Sequence, residues 1–393
     1  MMLKDDLKTI TETDLESFIQ NEVPEDKTLE YKREFPLSSK ENKLKFLEGI
    51  SSFANASGGD LVIGIEVDKE SKLPIAVIGI SISDQPLDEI IRGMDDLIRQ
   101  GIQPRIPYFT IHPINLKNNN FVIIIRIKKS WIGPHRVTLG SDKFYSRGAA
   151  GKYPLDVTEL RSAFLLSETR IEKIKTFIIN RISDIISNET PVPMPDGAKV
   201  ILHVIPLAAF DLENTIPLNE KESIIKDLIS LDLFPLSVEY NLHGVIKSYI
   251  RNNTGNSTEY LQFYRNGIIE SVSGDHLISY RDKCIILYRF EDHMIKALDN
   301  NLSILKKLNV EPPFLIQISL SNIQGYKLCR SHDMFEEPRE IYKDLIQLPE
   351  TIIENFENPI DKILHNTFDA LSNACGLPKS PNYDNDGNWV QKK

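Results

Sequence analysis

The sequence predicts an α/β protein with two domains, an N-terminal domain on a mixed sheet and a C-terminal α+β domain. The chain has 393 residues, which is long for one hydrophobic core. In its first part, helical and strand-like patterns alternate in the order strand, helix, strand, helix, strand, strand, strand. Prolines at 191, 193 and 195 then break a helical pattern and mark a boundary between domains.

Two capping patterns predict the first helices. Thr13-Asp14-Leu15-Glu16 has the spacing of a capping box, so a short helix is expected within residues 1–20. Ser38-Ser39-Lys40-Glu41 is a second box, and it precedes apolar residues at helical spacing through Ala54. Gly58 is placed to end this helix, and Gly59 lets the chain turn directly into a buried strand, Leu61 to Ile65.

The next patterns complete the first domain. Asp84-Gln85-Pro86 predicts the start of a helix that is closed by Gly101 and Pro104. Two strands follow, Phe109 to Ile114 and Phe121 to Ile127, joined through asparagines that favour a turn. These two strands are expected to form a meander.

Beyond the first domain, a helix is predicted from Ser167 to Ser187, followed by strands and one further helix. The later elements are a strand at Ala198 to Pro206, a hairpin within Leu261 to Val272, a helix at Asp292 to Leu308 and a strand at Phe314 to Leu320. We therefore divide the chain into an N-terminal helix (1–20), the mixed-sheet domain (21–165), a helix with a Pro-rich linker (166–196), an α+β domain (197–377) and a disordered tail (378–393).

Composition excludes several classes of protein. The chain lacks an apolar signal core at its start and an apolar run long enough to span a bilayer, so no membrane partner is expected. The three cysteines have neither C-x-x-C spacing nor paired histidines nearby, which predicts neither a disulfide framework nor a zinc ribbon and favours a cytoplasmic location. The glycines between 148 and 151 lack the spacing of a phosphate loop, so no ATP site is supported.

The net charge of −10 argues against a polyanionic partner, but its distribution favours one. Residues 117–152 contain eight basic side chains and one acid, Asp142. We call these residues the basic segment. Trp131, His135 and Tyr145 are interleaved with the charges, as on surfaces that bind phosphates and bases. The predicted nucleic-acid contacts are Lys117, Arg126, Lys128, Lys129, Arg136, Lys143, Tyr145, Arg147 and Lys152. A solvated sheet edge is the alternative, and for Arg147 a purely structural role.

Three stretches of the sequence resemble the Schlafen-type Alba-like domain (AlbA_2) of the bacterial Schlafen-like family. They are Glu25 with Leu29-Glu30-Tyr31-Lys32, the block from Phe53 to Ile65, and Asp142 to Gly148. The resemblance spans roughly residues 21 to 165. It implies a nucleic-acid-binding α/β fold, a homodimer and, in the Schlafen branch, a metal-dependent endoribonuclease that cuts tRNA or similar structured RNA and acts in antiviral defence.

Such a nuclease needs carboxylates that converge on Mg²⁺ or Mn²⁺. The resemblance places Glu25 and Glu30 at two metal positions, but Val67 stands where the third acid is expected, between Glu66 and Asp68. A bulge would bring Glu66 or Asp68 into the site. The candidate metal ligands are therefore Glu25, Glu30, Glu66 and Asp68, with catalytic roles for Glu25, Glu30, Asp68 and for Lys32 as a phosphate-stabilising cation.

Two other functions stay open. Val67 at an acid position favours a non-catalytic DNA- or RNA-binding regulator whose acids are structural. A scaffold is the third reading, in which the basic segment binds an acidic protein surface such as the chain's own C-terminal half.

Overall fold

The computed structural model describes residues 7–33, 35–68, 70–71, 73–81, 86–148, 150–211, 215–250, 256–274, 277–279, 283–330, 333–334, 339–384 and 386–390. The chain forms two compact units, Met1–Thr169 (unit 1) and Arg170–Lys393 (unit 2). Within the described ranges no helix is both long enough and apolar enough to cross a bilayer.

Unit 1 is an α/β domain. Its helices are α1 (Glu12–Gln20), α2 (Lys40–Asn55) and α3 (Leu87–Gly101), and α4 (Val157–Ile186) begins in it. Its strands are β1 (Leu29–Lys32), β2 (Gly59–Ile63), β3 (Ile65–Val67), β4 (Pro74–Val77), β5 (Ile102–Gln103), β6 (Phe109–Asn115), β7 (Phe121–Ile127), β8 (Arg136–Val137), β9 (Tyr145–Gly148) and β10 (Gly151–Pro154).

A mixed four-stranded sheet in the order β1-β2-β7-β6 forms the centre of unit 1, with β1 parallel to β2 and the other pairs antiparallel. Strand alternation gives each face its own core. Leu61, Ile63 and Ile125 pack with α2 and α3, whereas Val62 and Ile124 pack with α1. The predicted mixed sheet and the meander of β6 and β7 are confirmed.

The hydrogen bonds at the observed helix starts differ from those that the capping patterns predicted. The first helix begins at Glu12, and Asp14 accepts the backbone N–H of Thr11 at 2.8 Å, so the predicted start at Thr13 is wrong. Ser39 caps α2 by accepting the N–H of Asn42 at 3.0 Å. The start of α3 at Leu87 agrees with the prediction, but Asp84 and Gln85 lie outside the described residues.

The long helix α4 begins at Val157 rather than at Ser167, and it runs through the boundary between the two units. A capping box that the sequence prediction overlooked sets this start. Asp156 accepts the N–H of Glu159 at 2.8 Å, and Glu159 accepts the N–H of Asp156 at 2.9 Å.

Unit 2 is an α+β domain. Its helices after α4 are α5 (Glu222–Ile225), α6 (Leu287–Lys307) and α7 (Ile360–Ala374). Its strands are β11 (Lys199–Pro206), β12 (Ser237–Asn241), β13 (Gly244–Ile250), β14 (Ser257–Tyr264), β15 (Ile269–Ser273), β16 (Ile278–Ser279), β17 (Cys284–Ile286), β18 (Phe314–Ser321), β19 (Lys327–Arg330), β20 (Asp333–Met334), β21 (Leu345–Gln347) and β22 (Thr351–Ile353).

An antiparallel sheet in the order β12-β13-β14-β15-β11-β18-β21, with β22 also paired to β18, lies between two layers of helix. One face packs on α6 and α7 through residues such as Leu202 and Ile318. The other face packs on the C-terminal half of α4 through residues such as Ile201. The predicted strands at 198–206 and 314–320, the hairpin at 261–272 and the helix at 292–308 are present with small changes of length.

A buried charge cluster joins α4 to this sheet. Glu270 is fully buried and accepts two hydrogen bonds from the Arg181 guanidinium, both at 2.9 Å. His203 and Tyr260 bind the same carboxylate at 3.0 and 2.8 Å. Burial raises the pKa of Glu270, but His203 and Arg181 outweigh burial and lower that pKa to about 2. Glu270 is therefore a stable anion at neutral pH.

The predicted disordered tail is wrong for most of its length, because residues within 380–384 and 386–389 pack against α6. The buried Glu291 carboxylate accepts hydrogen bonds from Ser380, Asn382 and Trp389 at 2.6, 2.8 and 3.0 Å. Tyr383 also donates to the Asp361 carbonyl at 2.6 Å. Residues 391–393 lie outside the described part of the chain.

The expectation of no disulfide is also corrected. Cys284 and Cys329 form a disulfide with their Cα atoms 5.9 Å apart, because β17 and β19 pair in parallel and bring the two residues together. The separation of 45 residues gave no sequence signal. Cys375 is a free, buried thiol, and burial raises its pKa to about 11.

Acid is expected to destabilise unit 2 through Glu270. Because the folded pKa is about 2 and the ordinary value is 4.5, the stabilising contribution of this carboxylate is complete above pH 4.5 and is lost as the pH falls towards 2. Urea unfolding at about pH 7, 4.5 and 3 measures the free energy of unfolding. Trp389 fluorescence in a Trp131→Phe background reports on unit 2, since the chain has two tryptophans.

The matched control is Glu270→Gln, which removes the charge and keeps the size of the side chain. This variant is expected to be less stable near neutral pH and to lose less stability than wild type between pH 4.5 and 3. Parallel pH curves for the two proteins would contradict this role of Glu270.

Candidate nucleic-acid interface

The centre of the candidate site is the Glu30 carboxylate on the edge strand β1. Leu29 and Tyr31 point into the core beside α1, so Glu30 and Lys32 project from the opposite face, under α2. Glu30 accepts from Lys32 at 2.6 Å and from Arg147 at 2.8 Å. Three of the predicted site residues are thus brought together as a carboxylate held between two cations.

Arg147 is a structural part of this arrangement. Its side chain is 3% exposed, and its guanidinium carbon lies 3.7 Å from the centre of the Phe53 ring. Arg147 therefore connects β9 with β1 and α2. Asn55 adds a second connection, because its amide donates to the carbonyls of His135 and Tyr145, both at 2.8 Å.

The charge state of Glu30 follows from its neighbours. Burial raises the pKa of Glu30, but the ammonium of Lys32 and the guanidinium of Arg147 more than offset burial and hold that pKa below its ordinary value. The carboxylate is therefore ionised at neutral pH and acts as a hydrogen-bond acceptor.

A cleft of about 450 Å³ opens beside Glu30, at the carboxyl ends of β1 and β2. Ligand sites in α/β sheets favour this position. Apolar side chains of Phe46, Leu61 and Ile63 form part of the lining. Polar groups at the rim include Lys32 and Arg33, whose side chains are 47% and 65% exposed.

One face of α2 forms a wall of the cleft. Asn42, Lys45, Phe46 and Gly49 line it and follow the spacing i, i+3, i+4, i+7. Lys45 is 59% exposed and pairs with Glu41 at 2.6 Å. Gly49 has no side chain to cover Glu30, since a Cβ at this position would lie 3.8 Å from the carboxylate oxygen Oε2.

The other predicted metal ligands are engaged in local structure. Glu25 accepts the backbone N–H of Tyr31 at 2.8 Å. Asp68 accepts the backbone N–H groups of Glu70 and Ser71 at 3.1 and 2.7 Å, which closes its own turn. Strand β3 has a register shift between Glu66 and Val67, the region where a bulge would bring Glu66 or Asp68 into the site.

Glu66 lines the cleft but pairs with Arg33 at 2.6 Å. Among the residues with described positions, no three His, Cys, Asp or Glu side chains form a group that could hold a metal ion. The expectation that Glu25, Glu30, Glu66 and Asp68 converge is therefore not met. The donor set does not fit Mg²⁺ or Mn²⁺, because its best-placed carboxylate, Glu30, already neutralises two cations.

Four members of the basic segment are used inside the domain. Arg126 binds Asp60 through two hydrogen bonds of 2.8 and 2.9 Å, and the two residues are cross-strand partners. Tyr145 and Lys152 both bind Glu48, each at 2.8 Å. Arg147 is the fourth. Acids from other elements thus neutralise much of the positive charge that the sequence shows.

The remaining predicted contacts lie nearer to solvent. The side chain of Lys117 is 81% exposed, and its ammonium nitrogen lies 3.9 Å from a carboxylate oxygen of Glu12. A guanidinium nitrogen of Arg136 lies 3.7 Å from a carboxylate oxygen of Asp142. Lys143 is exposed. The ammonium of Lys129 lies 4.4 Å from the centre of the Trp131 ring, and the preceding Lys128 is partly exposed.

Sequence reasoning missed Arg33 and the α2 residues Asn42, Lys45, Phe46 and Gly49. The signal for Arg33 was its position directly after Lys32 at the end of a predicted strand. The helical spacing of the α2 residues was also visible, but their mixture of polar, aromatic and glycine side chains has no apolar period. Only the adjoining strand β1 turns that helix face into the wall of a cleft.

Residues 25–156 match the family model described as Schlafen, AlbA_2, which covers about a third of the chain. Unit 1 therefore carries a domain of this type, and the predicted resemblance is confirmed. A solution NMR structure of the N-terminal domain of an ATP-dependent DNA helicase RecG-related protein from Nitrosomonas europaea also matches. It is 15% identical, covers 31% of this chain and 74% of its own, and has a TM-score of 0.24. No curated protein matches the chain.

Arg147→Met is expected to lower the free energy of unfolding of unit 1 by about 3–5 kcal/mol, because it leaves a buried carboxylate with one partner fewer. Urea unfolding followed by Trp131 fluorescence in a Trp389→Phe background measures this change. Arg92→Met, an exposed arginine on α3, is the control and should change stability by less than about 0.5 kcal/mol. Wild-type stability in Arg147→Met would contradict the structural role.

Proposed function

We propose that unit 1 binds nucleic acid without cutting it. The observation that carries this proposal is the cleft at the end of β1, with exposed cations at its rim. The AlbA_2-type domain supports the proposal, because the resemblance implies a nucleic-acid-binding fold. RNA and DNA are both compatible with this chemistry, since the cations bind the phosphate backbone that the two share.

The cations at the rim are suited to bind phosphate, because phosphate oxygens can replace the carboxylates with which these cations are now paired. Lys32, Arg33 and Lys45 have side chains between 47% and 65% exposed. Exposed ion pairs contribute about 0–1 kcal/mol, so phosphate oxygens can replace the partners of Arg33 and Lys45 at low cost. Arginine adds a planar fork that binds two phosphate oxygens at once.

The outward part of the basic segment supplies a second surface. Lys129 and Lys143 are exposed, and the Trp131 ring beside Lys129 offers a face on which a base can stack. Arg126, Tyr145, Arg147 and Lys152 are not proposed as contacts, because their side chains hold Asp60, Glu48 and Glu30.

We do not propose that unit 1 is a metal-dependent endoribonuclease. Glu25 accepts the backbone N–H of Tyr31, Asp68 closes its own turn, and Glu30 neutralises Lys32 and Arg147. A metal site would have to bring these acids together, and among the described residues no three of them form such a group. The non-catalytic binding protein needs no such rearrangement.

The resemblance also implies a homodimer and a role in antiviral defence, and the cysteine pattern favoured a cytoplasmic location. We keep these as proposals. Measuring the molar mass of the purified 393-residue chain in solution tests the homodimer.

Binding is expected to depend on salt and on the rim. Fluorescence anisotropy with labelled single strands of about 12 nucleotides measures affinity at several salt concentrations. The variant Lys32→Gln/Arg33→Gln should bind more weakly and reduce the salt slope by about 1 to 2 units, because up to two phosphate contacts are removed.

The matched control is Lys27→Gln. Lys27 is exposed and lies before β1, whereas the cleft lies at the other end of this strand. The control should bind as wild type does. Equal affinities and slopes for the rim variant and wild type would overturn the assignment of the rim, and salt-independent binding would contradict phosphate recognition.

Cleavage is expected to be absent. Total tRNA incubated with the purified protein should stay intact with and without Mn²⁺, because the four predicted acids do not form a metal site. Gel electrophoresis of the RNA gives the readout. Fragments that need Mn²⁺ and vanish in Glu66→Gln, which leaves the Glu30 pair untouched, would restore the nuclease proposal.

A further inference from the structure

We infer that the cleft holds one unpaired guanine nucleotide of the bound strand, with the Watson–Crick edge of the base on Glu30. This inference rests on the proposed function and names the ligand of the same site. Three features carry it: the position of Glu30 and Gly49 on the cleft, the hydrogen-bonding capacity of the Glu30 carboxylate, and the arrangement of apolar and cationic groups around it.

The Glu30 side chain is 9% exposed and borders the cleft beside Gly49, which has no side chain to cover it. Within 4 Å of a Cβ built at residue 49, the nearest atom is the carboxylate oxygen of Glu30 at 3.8 Å. A side chain longer than the methyl group of alanine would extend from this position over that oxygen. Glycine inside a helix costs about 1 kcal/mol relative to alanine, so an opening at this point is maintained against helix stability.

The carboxylate has room for two more hydrogen bonds. A carboxylate offers about four acceptor positions, and Lys32 and Arg147 occupy one on each oxygen. Guanine matches what remains, since its Watson–Crick edge presents two adjacent donors, the N1–H and the N2 amino group. Adenine and cytosine each present a donor beside an acceptor, and thymine or uracil presents one donor between two acceptors. An acceptor-only group disfavours these three bases.

The surroundings fit the rest of the nucleotide. Phe46, Leu61 and Ile63 line the cleft and provide apolar contact for the base. Lys32 and Arg33 at the rim reach solvent, where the phosphates of a continuous strand would pass. The cleft volume of about 450 Å³ lies in the range of small-ligand sites, so it accepts one nucleotide rather than a duplex.

The experiment varies the base and leaves the protein unchanged. Labelled oligothymidylate strands of about 12 nucleotides carry one central guanine, inosine, adenine or cytosine, and anisotropy measures the affinity of the full chain for each. The guanine strand should bind about tenfold more tightly than the all-thymine strand. The inosine strand, which lacks the N2 amino group, should fall between them.

The variant Gly49→Leu tests the place of binding. Its side chain covers Glu30 and leaves the rim cations in place, so it should abolish the preference for guanine and keep salt-dependent binding. Gly49→Ala adds a methyl group at ordinary contact distance from Glu30, so this matched control should keep the preference for guanine. Circular dichroism of both variants verifies folding, and the series of bases on wild type decides the question even where Gly49→Leu does not fold.

The outcomes distinguish failure of the guanine site from failure of nucleic-acid binding by unit 1. Equal affinity of wild type for all strands, with normal salt dependence, would overturn the guanine site and leave nucleic-acid binding intact. A guanine preference that persists in folded Gly49→Leu would also overturn the site. No binding to any strand would defeat the proposed function itself.

Discussion

The ion pair between Arg147 and Glu30 is the constraint on which unit 1 depends. A carboxylate beneath a helix needs a compensating cation, because a buried unpaired charge costs several kcal/mol. Arg147 supplies it from β9, 117 residues further along the chain, and packs on Phe53 of α2. The pair therefore fixes β9, the edge strand β1 and α2 relative to one another. This arrangement places the Glu30 carboxylate at the bottom of the cleft and the α2 face that contains Gly49 along its side.

Unit 2 uses a comparable device. Glu270 is fully buried between α4 and the sheet, and the Arg181 guanidinium binds both of its oxygens. Buried pairs of this kind contribute little net stability compared with apolar packing, but they penalise every arrangement that separates the partners. We interpret both pairs as devices that select one packing of helix on sheet. The two carboxylates differ in their access to solvent, since Glu30 borders a cleft whereas Glu270 has no exposed surface.

Local patterns in the sequence were sufficient to predict most of the elements that surround the site. The strand Phe121 to Ile127 has the predicted bounds, and α2 begins within the predicted Ser38-Ser39-Lys40-Glu41 pattern with Ser39 as its cap, because period and capping are properties of neighbouring residues. The charge of the basic segment could not be interpreted in the same way. Its partners Asp60, Glu48 and Glu30 come from distant positions, so the count of basic residues overstated the surface charge. Long-range pairing likewise decided the disulfide, for which the sequence had no signal.

The predicted metal site failed for a related reason. Glutamates at the spacing of Glu25 and Glu30 are compatible with two structures, one in which both face a common ion and one in which each satisfies nearby donors. The backbone N–H of Tyr31 is such a donor for Glu25, and it is six residues away. Which structure forms depends on competition between local hydrogen bonds and long-range ion pairs, and spacing does not encode that competition.

Glu291 illustrates a consequence for synthesis of the chain. Its three side-chain donors are 89, 91 and 98 residues downstream, so the ribosome makes helix α6 well before the groups that satisfy this carboxylate exist. During that interval the acid must stay hydrated or protonated, which keeps α6 from settling fully into its final surroundings. Folding of unit 2 can therefore be completed only after Ser380, Asn382 and Trp389 have left the ribosome. A nascent chain that stalls earlier would leave α6 incompletely packed and accessible to chaperones and proteases.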